Sequence, residues 1–403
     1  MRRVPIALLT LLAATGGTLP STVQASVTRD QASVPRDVAS VLTLGTVLPD
    51  TGTLAAYGPA TQAAVQLAVT DANAAGGVMG SDVVLRPGNS GGLGGSAFAK
   101  TLARLADAQA VIGPLSSALV LENRPAVAGR TLISPAATSP RLSGVLARTV
   151  PVESQAGPML ATLAKRRGAV RLVVVGPREQ RPLIDATLDH AAVLGLSATA
   201  VEFTSRQSTA SIAGRIVRAS ADAMLLASGA ETTGILRELL RRGMPAQILL
   251  TSDAVDGVDA RQLRRGTLNG ALALELDLRV PRALASRVTA MVPGARQTAY
   301  SAQAYDAAAL AILAAEASGR LLGEITSEGV RAALPDVANV GVECDTLARC
   351  LRLIGRGVDI DYVGYAGPYA LGSDGDPGMG RYLVRTFGSS NKPGSAARPV
   401  TYP

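Results

Sequence analysis

The sequence predicts an α/β protein in which doubly wound parallel sheets form two domains. Short apolar segments with strand character alternate with segments whose apolar residues recur at helical spacing. This alternation is typical of βαβ units, which build parallel sheets covered by helices. The chain of 403 residues is longer than the roughly 250–300 residues at which a single core stops growing, so we expect two domains.

The composition favours a large core made of small side chains. Hydrophobic residues make up 47% of the chain, but only 3% are aromatic and Trp is absent. The interior must therefore consist mainly of Ala, Val and Leu, which favours helices packed closely on a parallel sheet.

The positive charge does not indicate a nucleic-acid partner. The formal net charge is +8, but the basic residues are spread along the chain and are not clustered on one face or stripe. Aromatic residues on which bases could stack are also scarce. We therefore expect no nucleic acid among the partners.

The first α/β unit is predicted to open with a strand, a glycine-bearing loop and a helix that ends at Gly76-Gly77. A second strand follows, and then a helix with one apolar face. The predicted strands of this unit are 41–47, 83–85 and two that begin at Val111 and Ile133.

The same pattern starts again after residue 150 and predicts a second complete α/β unit. Two long helices with Ala-rich faces, at about 281–291 and 298–318, come next, and a strand at 382–387 is the last ordered element. The predicted helices of the second unit are 155–166, 182–193, 208–219 and 231–242, and its predicted strands are 171–175, 198–202, 223–227 and 248–251.

The N-terminus indicates export. A short basic stretch at Met1-Arg2-Arg3 precedes an apolar run, and a cleavage site follows at Val23-Gln24-Ala25, so 1–25 is predicted to be a signal peptide. The alternative is a retained membrane anchor, but the apolar run is shorter than the roughly 20 residues that a spanning helix needs. We expect 26–40 to be a flexible lead-in and 391–403 a loose tail.

Cys344 and Cys350 are the only cysteines, and in an exported chain an even count predicts a disulfide. A zinc site would need further ligands, and the only histidine, His190, lies far away in a helical segment. We therefore expect no metal.

The residues do not indicate an enzyme. His190 lies in a helical segment, no G-x-S-x-G motif is present, and the glycines near residues 88–95 match neither a Walker loop nor a dinucleotide-binding fingerprint. We therefore expect no catalytic residues and no cofactor.

Two short segments twenty residues apart predict a pocket instead. The segments 111–117 and 133–140 each contain a buried strand that ends in small, hydroxyl-bearing residues. Ser116 and Ser117 would lie at a helix N-terminus, which favours an anion, and Thr138 would lie beside them. This arrangement predicts a site for a small carboxylate, with helix capping as the alternative role of the serines.

Five motifs in order resemble the periplasmic solute-binding proteins that serve leucine/isoleucine/valine-type ABC importers. Each motif alone is weak, but five in sequence are specific, and the resemblance covers about 41–387. The motifs are 44–60 with 73–80, 112–117, 133–140, 304–307 and 373–377.

The resemblance implies a type I periplasmic-binding fold, in which two α/β lobes are joined by three hinge crossings. Lobe 1 would comprise 41–149 and 276–366, and lobe 2 would comprise 150–275 and 367–390. The ligand would lie in the cleft between them, and the lobes would close around it.

The resemblance also implies where an amino acid would bind. Residues at the positions of Ser117, Ala136, Ala137 and Thr138 hold the ligand's carboxylate and ammonium groups, and Asp253 falls where the family has an acid facing the ammonium. Tyr57 matches an aromatic residue at the cleft. Gly229 departs from the family at a frequent tyrosine position, but Ser228 beside it could still donate a hydrogen bond.

Arg181 departs from the family pattern, because the family often has a tyrosine there. We therefore hypothesise that it meets a second acidic group on the ligand.

The resemblance implies a receptor that captures an amino acid or a similar small polar solute and delivers it to an ABC transporter permease. We expect a monomer that is soluble after signal cleavage, in a periplasm or secreted. The alternatives are a ligand sensor of the same fold and a diverged member with a different solute.

Overall fold

The computed structural model describes residues 41–402. The predicted signal peptide over 1–25 and the predicted lead-in over 26–40 lie outside the described residues. Along 41–402, none of the helices combines the length and apolar character that crossing a bilayer requires.

Strands and helices alternate over most of the described chain, as predicted. The strands are β1 (Thr43–Thr46), β2 (Val84–Arg86), β3 (Ala110–Ile112), β4 (Leu132–Ser134), β5 (Ala147–Arg148), β6 (Arg171–Pro177), β7 (Ser197–Phe203), β8 (Ala223–Leu226), β9 (Gln247–Leu250), β10 (Leu272–Leu276), β11 (Val342–Cys344), β12 (Ile360–Tyr362), β13 (Gly380–Phe387) and β14 (Pro393–Tyr402). The helices are α1 (Gly58–Ala74), α2 (Ala97–Arg104), α3 (Ser117–Glu122), α4 (Arg124–Val127), α5 (Ala156–Arg166), α6 (Arg181–Val193), α7 (Thr209–Arg218), α8 (Thr232–Arg242), α9 (Ser252–Asp256), α10 (Arg282–Met291), α11 (Ser301–Leu322), α12 (Ser327–Ala333) and α13 (Leu347–Ile354).

Lobe 1 is built on a five-stranded parallel sheet in the order β2-β1-β3-β4-β5. Neighbouring residues of one strand point to opposite faces. Ile112 belongs to a core cluster with α1 and α11, whereas Val111 belongs to a second cluster with α2 and α3. Helices therefore cover both faces, which makes the sheet doubly wound.

Lobe 2 repeats this plan on a seven-stranded sheet in the order β14-β13-β10-β9-β8-β6-β7. β6 to β10 are parallel, and their order matches that of lobe 1, whereas β13 and β14 are antiparallel to their neighbours. Val174 and Val175 face two different core clusters. The uninterrupted apolar run of β6 follows from this burial on both faces.

Close packing of small residues completes lobe 1. Helix α11 is buried over most of its length, and it packs against α1. Both helices present mainly Ala to this contact, including Ala64, Ala68, Ala308 and Ala311. Small side chains allow helices to approach closely, and this arrangement uses the Ala-rich composition as predicted.

The chain passes between the lobes three times, after β5, after β10 and between β12 and β13. The third crossing lies later than the expected boundary at residue 367. Tyr369 and Leu371 are both 2% exposed and pack in the lobe 1 core, so the chain leaves lobe 1 only after residue 371.

The expected loose tail over 391–403 is contradicted for the described residues. Residues 393–402 form β14, which pairs antiparallel with β13 at the edge of the lobe 2 sheet. Asn391 is buried, and its side chain accepts a hydrogen bond from Leu268 N at 3.0 Å. Strand pairing and this bond order a segment whose Gly, Ser and Pro content suggested a loose chain.

The predicted disulfide is present between Cys344, at the end of β11, and Cys350, in α13. The two Cα atoms lie 5.5 Å apart, which is ordinary for a disulfide. Both cysteines are buried in the lobe 1 core, so the bond ties the small β11-β12 sheet to the helix that covers it.

Candidate functional site

The candidate site is a cavity of about 230 Å³ between the two lobes. It lies beyond the carboxyl ends of β4 and β5 in lobe 1 and of β6 and β9 in lobe 2, the edge at which parallel sheets bind ligands. Its volume is somewhat below the roughly 300–1,000 Å³ of sites for drug-sized ligands, so it suits a small metabolite. The lining residues are Ala136, Thr138, Pro151, Glu153, Ala156, Gln180, Leu183, Thr251, Ser252, Asp253, Asp256, Leu274, Leu276, Tyr300 and Tyr382.

Lobe 1 contributes Thr138 and Tyr300 to the polar lining. Thr138 follows β4, and its hydroxyl donates to Glu153 Oε2 at 3.4 Å. Tyr300 lies directly before α11 with a φ of 66°, a left-handed conformation that is rare for a bulky residue. Such strain persists only where the surroundings hold it, and it is frequent at ligand sites. Tyr300 is therefore a candidate ligand contact.

Lobe 2 contributes acidic residues on a short helix. The side chain of Thr251 caps α9 by accepting a hydrogen bond from Ala254 N, which fixes the turn that carries Asp253. Asp253 Oδ2 accepts a hydrogen bond from Gln180 Nε2 at 3.3 Å. Asp256 follows three residues later, on the same side of the helix. Both carboxylates are exposed to the cleft.

The cavity has a negative electrostatic character. Burial raises the pKa of Glu153 from an ordinary 4.5 to about 7, and the Asp253 carboxylate adds to this shift, while the Thr138 hydroxyl and Arg148 oppose it. Burial and the neighbouring Asp256 raise the pKa of Asp253. Among the described residues that line the cavity there is no Lys, Arg or His, so no lining cation offsets the three carboxylates.

The raised pKa of Glu153 gives the ligand-free protein a pH-dependent stability. Between about pH 4.5 and 7 the native state keeps a proton that the unfolded chain has released, so stability falls as the pH rises through this window. We expect Glu153→Gln to remove this fall. Relative to the variant, the wild type should lose on the order of 2 kcal/mol between pH 5 and pH 8.

Urea unfolding of both proteins at pH 5, 6, 7 and 8 measures this difference. Glu179→Gln is the matched control, because Glu179 is exposed and lies outside the cavity. Parallel pH profiles for the wild type and Glu153→Gln would contradict the proposed environment of Glu153.

The structure does not bring Ser116 and Ser117 to the cavity. Ser116 is the N-cap of α3, and its Oγ accepts a hydrogen bond from Leu119 N at 3.4 Å. Ser117 Oγ accepts from Ser139 N at 3.2 Å. Both side chains therefore stabilise local backbone, which is the alternative role that the sequence left open.

The segment after β4 reaches the cavity only in part. Ala136 and Thr138 line it, but Ala137 is buried behind them. The backbone N–H groups of Ala136 and Ala137 donate to Ser134 Oγ at 3.3 and 2.9 Å. In this structure the donors expected for a ligand carboxylate are thus satisfied within the protein.

Arg181 and Ser228 also lie outside the cavity lining. Arg181 Nη2 pairs with Glu202 Oε1 at 2.7 Å, and its side chain is 62% exposed. In this structure the partner of Arg181 is an acid of the protein, and the hypothesis that Arg181 meets an acid on the ligand stays a prediction. Ser228 is buried and donates to Glu231 Oε2 at 2.9 Å.

Tyr57 lies next to the cavity lining and not within it. Its ring packs edge to face on Tyr300, with the ring centroids 5.7 Å apart and an angle of 70° between the planes. Such pairs add stability beyond their buried area. Tyr57 therefore supports the strained Tyr300, and a direct ligand contact for Tyr57 stays a prediction.

Sequence reasoning found Ala136, Thr138 and Asp253 but missed Glu153 and Tyr300. The second missed carboxylate, Asp256, had a usable signal, since its spacing from Asp253 places both on one helix face. Glu153 and Tyr300 follow crossings between the lobes, and their proximity to the cleft depends on how the lobes are arranged.

Comparisons with known proteins agree with this architecture. A family model described as periplasmic binding protein matches residues 41–346, whereas a search of curated proteins finds no match. A putative branched-chain amino acid ABC transporter protein from Rhodospirillum rubrum is 20% identical, with a TM-score of 0.62 over 89% of this chain and 100% of that chain.

Two ligand complexes illustrate the range of solutes among similar structures. The substrate-binding protein LivJ of Streptococcus pneumoniae, in complex with isoleucine, is 19% identical, with a TM-score of 0.56 over 90% of this chain and 100% of that one. A solute-binding protein of R. palustris, in complex with 4-hydroxybenzoate, is 17% identical, with a TM-score of 0.57 over 89% and 97% of the two chains. At these identities the likeness establishes the fold.

The family match covers most of the described chain, and the two doubly wound lobes with their three crossings have the architecture that the resemblance implied. This chain therefore belongs to the periplasmic binding proteins, a family of binding proteins and not of enzymes, and it has the type I fold of the ABC-transporter solute-binding proteins to which it is similar.

Proposed function

We propose that this protein is an extracytoplasmic receptor that captures a small amine-bearing solute, an amino acid or a close analogue, and delivers it to the permease of an ABC importer. The observation that carries the proposal is the cavity between the lobes, with the carboxylate of Asp253 on its wall. An acid at this position suits an ammonium group. The protein acts as a monomer in the periplasm, or outside the cell, after its signal peptide is removed.

Closure of the lobes completes the site. Thr138 and Tyr300 belong to lobe 1, whereas Asp253 and Gln180 belong to lobe 2. A solute that contacts both walls stabilises the closed arrangement, because it binds that arrangement better than the open one. The permease then recognises the closed, loaded protein.

Aromatic acids are a less suitable class of solute for this cavity. Some similar structures bind them, as the complex with 4-hydroxybenzoate shows for that protein. A benzoate carries a negative charge and needs a cationic or donor-rich partner. The lining described above offers three carboxylates instead, so like charges would repel such a solute.

Thermal unfolding against a panel of amino acids, small amines, amides and aromatic acids tests the proposal. A solute at one hundred times its dissociation constant adds about 2.7 kcal/mol of stability, which gives an easily measured rise in Tm. Isothermal titration then gives the affinity. The receptor proposal fails if no solute of the panel raises Tm or produces heat.

A further inference from the structure

The acidic side chains on the cavity wall indicate the class of solute that the cavity binds. We propose that the cleft selects a solute with a net positive charge, an aliphatic diamine or an amino acid with a cationic side chain, over a zwitterion without such a group. This inference rests on the proposed function, because it names the class of solute for the same site.

The count of charges on the wall supports this class. Glu153, Asp253 and Asp256 line the cavity, and among its described lining residues none is basic. Arg148, a cation that acts on Glu153, is fully buried, and its Nε already lies 2.7 Å from Asp376 Oδ1. A neutral zwitterion would leave the negative excess in place, whereas a second ammonium group would offset it.

The hydrogen-bonding groups on the cavity wall also favour a cationic solute. Three side-chain donors on the wall are engaged within the protein: Thr138 donates to Glu153, Gln180 to Asp253, and Ser252 Oγ to Leu274 O at 3.3 Å. The hydroxyls of Tyr300 and Thr251 can still donate, but most of the remaining hydrogen-bonding capacity is acceptor capacity on the three carboxylates. An ammonium group has three donors and no acceptor, so it matches this wall, while a carboxylate would find few donors.

A buried atom adds an independent observation. Gln180 donates to Asp253 through its Nε2, but its Oε1 is buried without a hydrogen-bond partner among the described residues. A buried acceptor without a partner destabilises the arrangement that leaves it unpaired. Gln180 lines the cavity, so a rotation of its amide that turns Oε1 toward the cavity would let an amine donor on the solute satisfy this atom.

The remaining wall suits a hydrocarbon stem between charged groups. Leu183, Leu274, Leu276 and Ala156 line the cavity beside the acids. Methylene groups gain stability from contact with such surface. A metal ion is a poorer fit, because along 41–402 no three His, Cys, Asp or Glu side chains are grouped so that they could hold one. The cation is therefore organic.

Paired ligands isolate the effect of the charge. Isothermal titration of the full protein at pH 8 would compare L-lysine with L-norleucine, and 1,4-diaminobutane with butylamine. Each pair differs by one ammonium group. We expect the member of each pair with the additional ammonium group to bind at least tenfold more tightly, with an affinity that falls as salt is raised from 20 to 500 mM.

Variants test the residues that carry the inference. Asp253→Asn and Glu153→Gln should each weaken L-lysine or 1,4-diaminobutane by about tenfold or more and change L-norleucine much less. Asp259→Asn is the matched control, because Asp259 is paired with Arg261 at the surface and lies outside the cavity. Its affinities should match the wild type, and the Tm of every variant reports whether it folds.

The outcomes separate the two proposals. If L-norleucine or L-leucine binds as tightly as L-lysine, the cationic class is wrong and the receptor function stands. If 4-hydroxybenzoate binds most tightly, the amine chemistry is wrong altogether. If no compound of the wider panel binds, the receptor function itself fails, and the charge preference fails with it.

Discussion

Replacing Asp306 by Ala should lower the free energy of unfolding by about 4 kcal/mol, a large part of the roughly 5–15 kcal/mol that stabilises a domain. Asp306 lies in α11 and is fully buried. Its Oδ1 accepts hydrogen bonds from Tyr362 Oη at 2.9 Å and from Tyr365 N at 3.0 Å. Its Oδ2 accepts from Ala366 N at 2.7 Å and from Tyr369 Oη. The Ala variant leaves four donors without their acceptor.

The packing around Asp306 leaves no room for rearrangement. A Cβ atom on Gly364 would lie about 2.4 Å from the Asp306 carboxyl group, so the backbone at this position requires Gly. The carboxylate thus fixes residues 362–369, the stretch that precedes the third crossing, onto α11. Its loss should loosen this stretch as well as lower overall stability.

Urea unfolding with a double-mutant cycle measures the effect. Tyr369→Phe in the Asp306→Ala background should cost less than in the wild type, because the hydroxyl has already lost its partner. Asp107→Ala, which removes an exposed pair with Arg86, should change stability far less than Asp306→Ala does. Strict additivity in the cycle would contradict the described network.

Replacing Arg148 by Met should cost about 3–5 kcal/mol, the usual loss when one partner of a buried ion pair is removed. Arg148 is fully buried and pairs with Asp376. Its Nη1 donates to Ala137 O at 2.9 Å and to Ser139 O at 3.0 Å. The side chain therefore holds the segment after β4, which carries Thr138 into the cavity.

Two further variants separate charge from shape. Arg148→Lys keeps the positive charge but lacks the planar fork that reaches two carbonyl groups and a carboxylate, so it should recover only part of the loss. Arg148→Met with Asp376→Leu removes both charges and should be more stable than Arg148→Met alone. A double variant no more stable than the single one would contradict the pairing. Solute affinity should fall in each variant whose segment after β4 is displaced.

Much of the fold could be predicted because its signals are local. The strands of lobe 2 are continuously apolar, as in Leu172–Val175, since parallel strands are buried on both faces. The helices show apolar residues at regular spacing, and their observed ends fall within a few residues of those predicted. The disulfide could be predicted because an even number of cysteines in an exported chain indicates pairing.

Strand β14 escaped prediction for a physical reason. The segment contains Pro393, Pro399 and Gly394, residues that weaken a strand. It forms because β13 offers a complete partner edge, and because Pro is tolerated in a strand at the edge of a sheet. Its formation depends on long-range pairing with β13, which no local sequence pattern predicts.

Cavity residues could be predicted where a sequence motif or a family position indicated them. They could not be predicted where only the arrangement of the lobes brings them to the cavity. Asp253 and Thr138 belong to segments that resemble the family. Glu153 gains its environment from burial in the cleft and from Asp253, one hundred residues later in the chain. Ser116 and Ser117 carry hydroxyls that could bind a ligand, but in this structure these hydroxyls accept hydrogen bonds from nearby backbone N–H groups.

The three crossings have a consequence for the order of folding during synthesis. The apolar face of α1 near the N-terminus is covered by α11, and the same core takes in Tyr369 and Leu371. The lobe 2 sheet likewise lacks β13 and β14 until residues 380–402 are made. Lobe 1 therefore cannot complete its core before residue 371 has left the ribosome, and lobe 2 cannot complete its sheet before residue 402 has done so. A nascent chain kept open in this way is in the form that passage through a membrane pore requires, which agrees with the export proposed for this receptor.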